Sequence, residues 1–421
     1  MNNSCVSNSK NPILPGRGVC DPHVHIFQNK AYLYASHDRD PGNTYWLMDD
    51  WQIWSSDDLV EWTLESTVRP EDTYVGTCEN CWATDAAERN DKYYFYFSQK
   101  NIDTGVMVSP HPGRGFVDAL GHPMLPRDLT STRSYDPTVF IDDDPSRTPY
   151  IIFGNHFGQG YFIARLNEDM VSLAEEPVRI GIDDGFAHTD KSFLHKHDGL
   201  YYLSWDSRYA TSENIYGPYH YRGTIGVSHD HGSFFSWRGQ WFNAFTIFDP
   251  SLYHRATGLC YIHYRKNGEM VADQLIAEYG VGQYDACWNK IEAEWFMAAQ
   301  GAVKTENNTH GFDVRLITDG ATLHYPKVHN VPCNAALSFY AANPGPASCH
   351  VEVRQGGQDG TLLGSVEIPS TFAHNVCAYE TFQCPLRNPS GTLDLCLVFR
   401  GDGKVLLDLD WFKFIGTYAS T

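Results

Sequence analysis

Five times between Asp21 and Phe245 the chain repeats one short pattern. Each copy has a polar first residue, a short apolar stretch, a turn and a second stretch rich in aromatic residues. The copies open at Asp21, Asp85, Asp136, Asp190 and His231, so successive starts lie 64, 51, 54 and 41 residues apart. The turns fall at residues 28–30, 90–92, a longer acidic stretch through Thr148, 197–199 and 238–239. Runs such as Tyr93-Tyr-Phe-Tyr-Phe-Ser read as strands, and helical periodicity is scarce. A period of roughly 40–50 residues with several strands to the unit is that of a propeller blade, so five copies predict five blades. Innermost strands of a propeller converge on its axis. The five opening residues are therefore expected to form a ring: four carboxylates and one imidazole.

Charge narrows the partners. With 31 Lys plus Arg against 51 Asp plus Glu, the net charge is −20. That excludes nucleic acid and anionic membrane surfaces, which need basic patches. No apolar run approaches the roughly 18 residues of a membrane span. The first twelve residues are polar, so a cytoplasmic protein is expected, or a secreted one if a leader has been removed. Eleven cysteines include one Cys-x-x-Cys, at Cys78 and Cys81. With no second such pair a zinc ribbon is not expected, and most thiols are read as reduced and buried.

A ring of carboxylates suits three kinds of chemistry. Glycoside hydrolysis needs one acid protonated and one ionised. A hard cation needs oxygen ligands. Phosphoryl transfer would also want a phosphate-cradling Gly-rich loop, which is missing, as are the Gly-x-Ser-x-Gly and His-Glu-x-x-His motifs. Aromatic residues make up 14% of the chain and suit both sugar faces and packed sheets.

The repeat segment resembles glycoside hydrolase family 43 over about residues 18 to 280. The likeness lies in Asp21-Pro-His-Val with Tyr32-Leu-Tyr, in Trp54-Ser-Ser-Asp-Asp-Leu-Val-Glu-Trp, in Cys81-Trp-Ala-Thr-Asp, in Tyr135-Asp-Pro-Thr-Val-Phe and in Tyr216-Gly-Pro-Tyr. The resemblance implies a five-bladed propeller and an inverting, exo- or side-chain-acting glycosidase. It would be an α-L-arabinofuranosidase, or a related β-xylosidase or β-galactofuranosidase, on polysaccharide-derived sugars. It implies Asp21 as general base and Asp136 as the residue that tunes and orients the acid. The family's acid is a Glu in Glu-Gly-Pro, and the matching stretch here is Asp190-Lys191-Ser192. Asp190 is thus the expected acid, with Glu175, Glu176 and Glu213 as loop alternatives. His231 matches a channel histidine that holds a water or a cation. His23, Trp82, Asp85 and His231 are expected to touch substrate. A catalytically impaired, lectin-like protein is the alternative that Asp190 raises.

From Lys290 the texture changes to short alternating strands, and a propeller over 1–285 followed by a β-sandwich over 286–421 is expected. Residues 290 to 416 resemble a family 6 carbohydrate-binding module at both ends, in Lys290-Ile-Glu-Ala-Glu-Trp-Phe and Leu407-Asp-Leu-Asp-Trp-Phe. That resemblance implies a structural calcium held by Glu292, Glu294 and Asp410.

Overall fold

The computed structural model describes residues 11–183, 189–227, 230–307, 309, 311–373, 376–389 and 391–416. The described residues up to Ala272 fold into five four-stranded antiparallel sheets, each strand pairing with the next in sequence. Blade 1 is β1 (Val19–Phe27), β2 (Lys30–His37), β3 (Trp51–Ser56) and β4 (Thr63–Val68). Blade 2 is β5 (Cys81–Arg89), β6 (Lys92–Gln99), β7 (Asp103–Ser109) and β8 (Val117–Asp118). Blade 3 is β9 (Thr138–Ile141), β10 (Pro149–Phe153), β11 (Phe162–Arg165) and β12 (Val178–Arg179). Blade 4 is β13 (Phe193–His197), β14 (Leu200–Trp205), β15 (Arg208–Ser212) and β16 (His220–Thr224). Blade 5 is β17 (Gly232–Trp237), β18 (Gln240–Ser251), β19 (His254–Tyr264) and β20 (Met270–Ala272).

Each copy of the sequence repeat is thus the inner hairpin of one blade. Four of these hairpins turn through two residues of positive φ: Gln28-Asn29, Asn90-Asp91, Asp198-Gly199 and Arg238-Gly239. Two left-handed residues give the turn a twist that matches the flanking strands. The third hairpin takes the longer acidic turn through Thr148.

The first strands touch in a closed ring, β1 to β5, β5 to β9, β9 to β13, β13 to β17 and β17 back to β1. This is a five-bladed β-propeller. Apolar clusters fill the gaps between consecutive blades. Tyr34, Trp51 and Ile53 meet Phe95 and Phe97; Tyr96 and Val106 meet Ile151 and Phe153; Ile152 and Ile163 meet Leu203 and Trp205. The two ends of the ring are fastened by side-chain hydrogen bonds. The Val24 N–H donates to Ser233 Oγ at 3.1 Å, and Thr257 Oγ1 donates to the Val19 carbonyl at 2.9 Å.

A short helix, α1 (Gln274–Tyr279), leads to a β-sandwich of two mainly antiparallel sheets. Its strands are β21 (Tyr284–Asp285), β22 (Ile291–Glu292), β23 (Ala298–Gln300), β24 (Val303–Asn307), β25 (Gly311–Arg315), β26 (Thr322–Val331), β27 (Ala336–Ala342), β28 (Cys349–Gln355), β29 (Thr361–Ile368), β30 (Phe372–Ala373), β31 (Val376–Cys377), β32 (Glu380–Pro385), β33 (Gly391–Arg400) and β34 (Asp408–Ile415). One sheet runs β21-β26-β33-β28-β29 and the other β24-β25-β34-β27-β32, while β30 and β31 form a separate ribbon. The sandwich shares one apolar core with blade 5, where Phe242 and Tyr261 join Trp295 and Tyr325. Gln240 donates to the carbonyls of Glu294 and Phe296 at 2.8 and 2.9 Å across this junction. Among the described residues nine cysteines are free, and Cys287 is disulfide-bonded. No described helix is long and apolar enough to cross a membrane.

One member of the expected ring has a task in the fold. Asp85 is fully buried inside β5. Its carboxylate lies 3.0 Å from His23 Nδ1 and 2.6 Å from His25 Nε2, and accepts the Val139 N–H of blade 3 at 2.6 Å. Burial would raise its pKa, but the two imidazoles outweigh that and hold the carboxyl well below the usual range. Asp85 therefore ties blades 1, 2 and 3 together. Asp85→Asn is expected to destabilise the protein by about 3 kcal/mol, read from the urea midpoint. A depressed carboxyl contributes its stability above the ordinary value of about 3.9 and loses it as pH falls through the lower folded value. The difference between wild type and variant should therefore shrink below about pH 4. A variant with the wild-type midpoint at neutral pH would refute this role.

Candidate active site

Asp21, Asp136 and Asp190 line a single cavity of about 440 Å³, together with His231, Asp230, Lys191 and Arg255. The backbone delivers the first two in the same way. Asp21 and Asp136 have φ of 51° and 52°, a left-handed conformation that Asp tolerates better than most residues. Each precedes a proline. At Asp21 the register of β1 also slips between Cys20 and His23, so the side chain leaves the regular alternation of the sheet. A hydroxyl of a neighbouring blade takes each freed N–H: Thr246 Oγ1 at 3.2 Å for Asp21 and Ser98 Oγ at 2.8 Å for Asp136.

Arg255, the second residue of β19, is buried among three carboxylates. Its Nη1 and Nη2 donate to the two oxygens of Asp21 at 2.7 and 3.2 Å. Its Nε and Nη2 donate to Asp38 at 3.1 Å each, and Nη1 also reaches Asp230 Oδ2 at 2.9 Å. The planar fork of arginine makes such multiple pairing possible. Lys191 supplies a second cation. Its ammonium lies 2.7 Å from Asp230 Oδ1, 3.7 Å from Asp206 and 3.9 Å from Asp190. The Asp190 segment is pinned by Thr189 Oγ1, which donates to Asp206 Oδ2 at 2.9 Å. Tyr135 OH donates to Asp190 Oδ2 at 3.4 Å.

The carboxyls of this cavity differ in their affinity for protons. Burial first, then the charges of Asp190 and Asp21, push the Asp136 carboxyl well above its ordinary range, against the pull of Lys191. Burial also opposes ionisation of Asp230, yet Arg255 and Lys191 together hold it well below that range. Burial pulls the His231 imidazole down, so it is neutral near pH 7. One cavity thus keeps a proton beside Asp190 while Asp230 stays charged.

Aromatic side chains wall the cavity. Tyr45, Trp46 and Trp82 form a cluster with ring centroids 5.5 to 6.4 Å apart, and Trp82 Nε1 donates to the Trp46 carbonyl at 3.2 Å. Phe248 and Leu252, at the extended β18–β19 hairpin, are more than two-fifths exposed at the rim. The loop 38–50 supplies Tyr45, Trp46 and Met48 to the lining, and the loop 110–133 supplies no lining residue.

The ring expected from the repeat is therefore partly assembled. Asp21, Asp136, Asp190, His231 and Trp82 meet in the cavity. His23 and Asp85 do not line it, contrary to expectation, because they face each other at 3.0 Å inside the propeller wall. Of the alternative acids, Glu175 is taken by Tyr216 OH at 2.6 Å, while Glu176 and Glu213 are exposed, and none of the three reaches the cavity. Sequence reasoning missed Arg255, Asp230 and Lys191. The last two adjoin ring residues, and Arg255 is a buried arginine in a strand buried along almost its whole length.

Two places invite a cation. Asp21, Asp230 and His231 each bring a ligand atom within 4.8 Å of the others. Arg255 and Lys191 already occupy the same carboxylate oxygens, and two fixed positive charges repel a third. These residues do not fit a divalent ion. The second place is in the sandwich. Burial pushes Glu294 up, with Glu292 adding to it, and one Glu294 oxygen is buried without a hydrogen bond. Burial and Glu292 push Asp410 up to about 7. Dehydrated carboxylates of this kind suit a hard cation, but among the described residues only Asp21, Asp230 and His231 bring three ligand atoms within 4.8 Å of one another. Lys290, at 2.6 Å from Glu292, and Lys304, whose charge acts on Glu294, are the competing cations.

Sequence comparison matches residues 9–224 to the glycosyl hydrolases family 43 and residues 292–416 to the carbohydrate binding module of family 6. A xylosidase/arabinosidase of Bacteroides ovatus is 28% identical over 62% of this chain and 97% of its own length. An arabinoxylan arabinofuranohydrolase of Paenibacillus polymyxa is 22% identical over 97% of this chain and 75% of its own. The crystal structure of a family 43 arabinoxylan arabinofuranohydrolase from Bacillus subtilis superposes with a TM-score of 0.57 and 20% identity, covering 97% of this chain and 98% of that one. The last similarity concerns the fold.

The geometry makes Arg255 a condition of the cavity. Arg255→Met should lower stability by about 3–5 kcal/mol, because three buried carboxylates lose their shared partner. Arg255→Lys should recover little of it, since one ammonium has no fork to span them. Denaturant titrations of both variants test this; an Arg255→Met protein as stable as wild type would refute it.

Proposed function

The chain belongs to glycosyl hydrolase family 43, and we propose that it removes single α-L-arabinofuranosyl or β-xylosyl units from oligosaccharides with inversion at the anomeric carbon. The observation that carries this reading is the meeting of Asp21, Asp136 and Asp190 in one aromatic-walled cavity. A cavity of about 440 Å³ suits one sugar ring and part of its neighbour. The names of the relatives bring pentosides forward.

Asp21 is proposed as general base. Arg255 fixes both its oxygens, so it has one orientation in which to take a proton from the attacking water. That water adds to the anomeric carbon as the bond to the leaving oxygen breaks. Asp190 is proposed as the acid that protonates the leaving oxygen. Asp136 stands beside it as a buried carboxyl that resists ionisation, to which the charge of Asp190 adds. Trp46 and Trp82 offer faces for the sugar, and His231 a neutral hydrogen-bonding nitrogen between Asp21 and Asp136, at 4.0 and 3.7 Å. No metal takes part in these steps.

Two experiments test the reading. On a panel of nitrophenyl furanosides and pyranosides, the wild type should release a pentose, and NMR of the first product should show the inverted anomer. Asp21→Asn should lower kcat by about 10³-fold with KM little changed. Full activity in that variant removes Asp21 from the mechanism, and binding without release favours a lectin-like protein. For the sandwich, calcium through Glu292, Glu294 and Asp410 should raise the melting temperature by a few degrees, reversed by chelator, and Glu294→Gln should abolish the shift. A melting temperature indifferent to calcium would refute the site.

A further inference from the structure

The steps above leave Lys191 without a task, although it lines the reacting cavity. A lysine beside an open cavity ordinarily extends its ammonium to water. This one stays in, with 24% of its side-chain surface exposed, and its backbone adopts a φ of 78°. That left-handed conformation is unfavourable for a residue with a Cβ and persists where the surroundings over-determine it. The surroundings are carboxylates: Asp230 at 2.7 Å, Asp206 at 3.7 Å and Asp190 at 3.9 Å. Asp206 also accepts from Thr189, so the residues on both sides of Asp190 are held by one anchor.

The cation balance explains why a lysine is wanted here. Arg255 is committed to Asp21, Asp38 and Asp230. Without Lys191, the Asp136–Asp190 side of the cavity would face no fixed positive charge. The ligand set Asp21–Asp230–His231 offers a divalent ion no free carboxylate oxygen on Asp230, because Lys191 takes Oδ1 and Arg255 takes Oδ2.

We propose that Lys191 is a built-in counter-cation of the carboxylate ring and a positioning residue for Asp190, standing where a channel metal ion would otherwise balance the charge. The role rests on the hydrolytic reading above. The ammonium acts through Asp190 and Asp230 and forms no bond to the reacting atoms. It limits how far the ring's carboxyls are pushed towards protonation and holds the Asp190 segment in place.

The test is a pH–rate profile of Lys191→Met beside wild type and Lys191→Arg. Removing the ammonium leaves the ring's carboxyls more reluctant to ionise, so the acid keeps its proton to higher pH. The alkaline limb of kcat/KM should move up by about one pH unit. With the acid less well placed, kcat should fall about tenfold or more while KM changes less than about threefold. Lys191→Arg, which keeps the charge, should return the limb towards its wild-type position. A limb that does not move, whether or not activity falls, overturns the proposal. If Lys191→Met does not fold, Lys191→Gln, which keeps a hydrogen-bond donor towards Asp230 without the charge, is read in its place with the same expected shift. A wild type inert on every glycoside refutes the hydrolytic reading instead. The ion pair is then tested by lysine-ammonium NMR: one resonance, absent from K191R, should remain charged beyond the ordinary lysine value of about 10.4. Its titration at the ordinary value overturns the proposal.

Discussion

A guanidinium removed from water can remain in a protein interior only if its charge is met at close range and its donors are satisfied. Arg255 meets that demand with Asp21 from the start of β1, Asp38 from just after β2 and Asp230 from just before β17. Those residues are 234, 217 and 25 positions away along the chain. The contact can therefore form only when blade 5 has come round to blade 1, and it joins the closure of the ring to the assembly of the reacting cavity. The fold and the site stand on the same interaction. The hydrogen bonds of Val24 with Ser233 and of Thr257 with Val19 fasten the same seam without any charge, so closure has support that does not depend on the site. The Asp21 side of the site has no such independence, whereas Asp190 and Asp136 are held by contacts away from the seam.

Electrostatic division of labour follows from where the two cations lie. Arg255 and Lys191 converge on Asp230, which is held ionised despite its burial. Asp136 is equally buried but has no direct cation, and burial pushes its carboxyl the other way. Two carboxyls of one cavity are thus driven apart in proton affinity by the placement of two side chains. Asp85 shows the third possibility. It is buried and charged, but its partners are imidazoles in the propeller wall, and it is removed from the chemistry altogether.

Much of this was legible in the sequence, for local reasons. The inner hairpins announce themselves through aromatic runs broken by turn residues that accept positive φ. The repeat then places Asp21, Asp85, Asp136 and Asp190 at one end of the blades. Register tells which end of a strand a residue occupies; it does not tell which way the side chain is turned. Asp21 sits at a bulge, and Asp136 and Asp190 precede their strands, β9 and β13. Asp85 is an ordinary ladder residue opposite Tyr96, well inside β5. The proline after Asp21 and Asp136, and its absence after Asp85, was the available signal. Arg255 was not legible, because its meaning lies entirely in partners far away in sequence. Trp46 belongs to the long loop of blade 1 and reaches Trp82 of blade 2 only after the two blades have packed.

The stretch Asp190-Lys191-Ser192 departs from Glu-Gly-Pro at all three positions, and the first two departures are coupled. Glu-Gly-Pro, the form this stretch resembles, has a long carboxyl arm followed by a residue free to take positive φ. Here the arm is one methylene shorter and the next residue is Lys191, which takes the positive φ nonetheless. A shorter arm has one fewer torsion to order, so less conformational entropy is lost in fixing it, but it has less reach with which to correct a misplaced backbone. Placement of the backbone then becomes critical. Thr189 on one side and Lys191 on the other are both held by Asp206, and the Tyr161 hydroxyl donates to the Thr189 carbonyl. The strain of a left-handed lysine is offset by the carboxylates its ammonium reaches. Its charge restrains the protonation of the ring, while its backbone sets the short acid in place. Changing the acid without changing its neighbour would have left a short arm on an unconstrained backbone, which is why the two substitutions make physical sense only together.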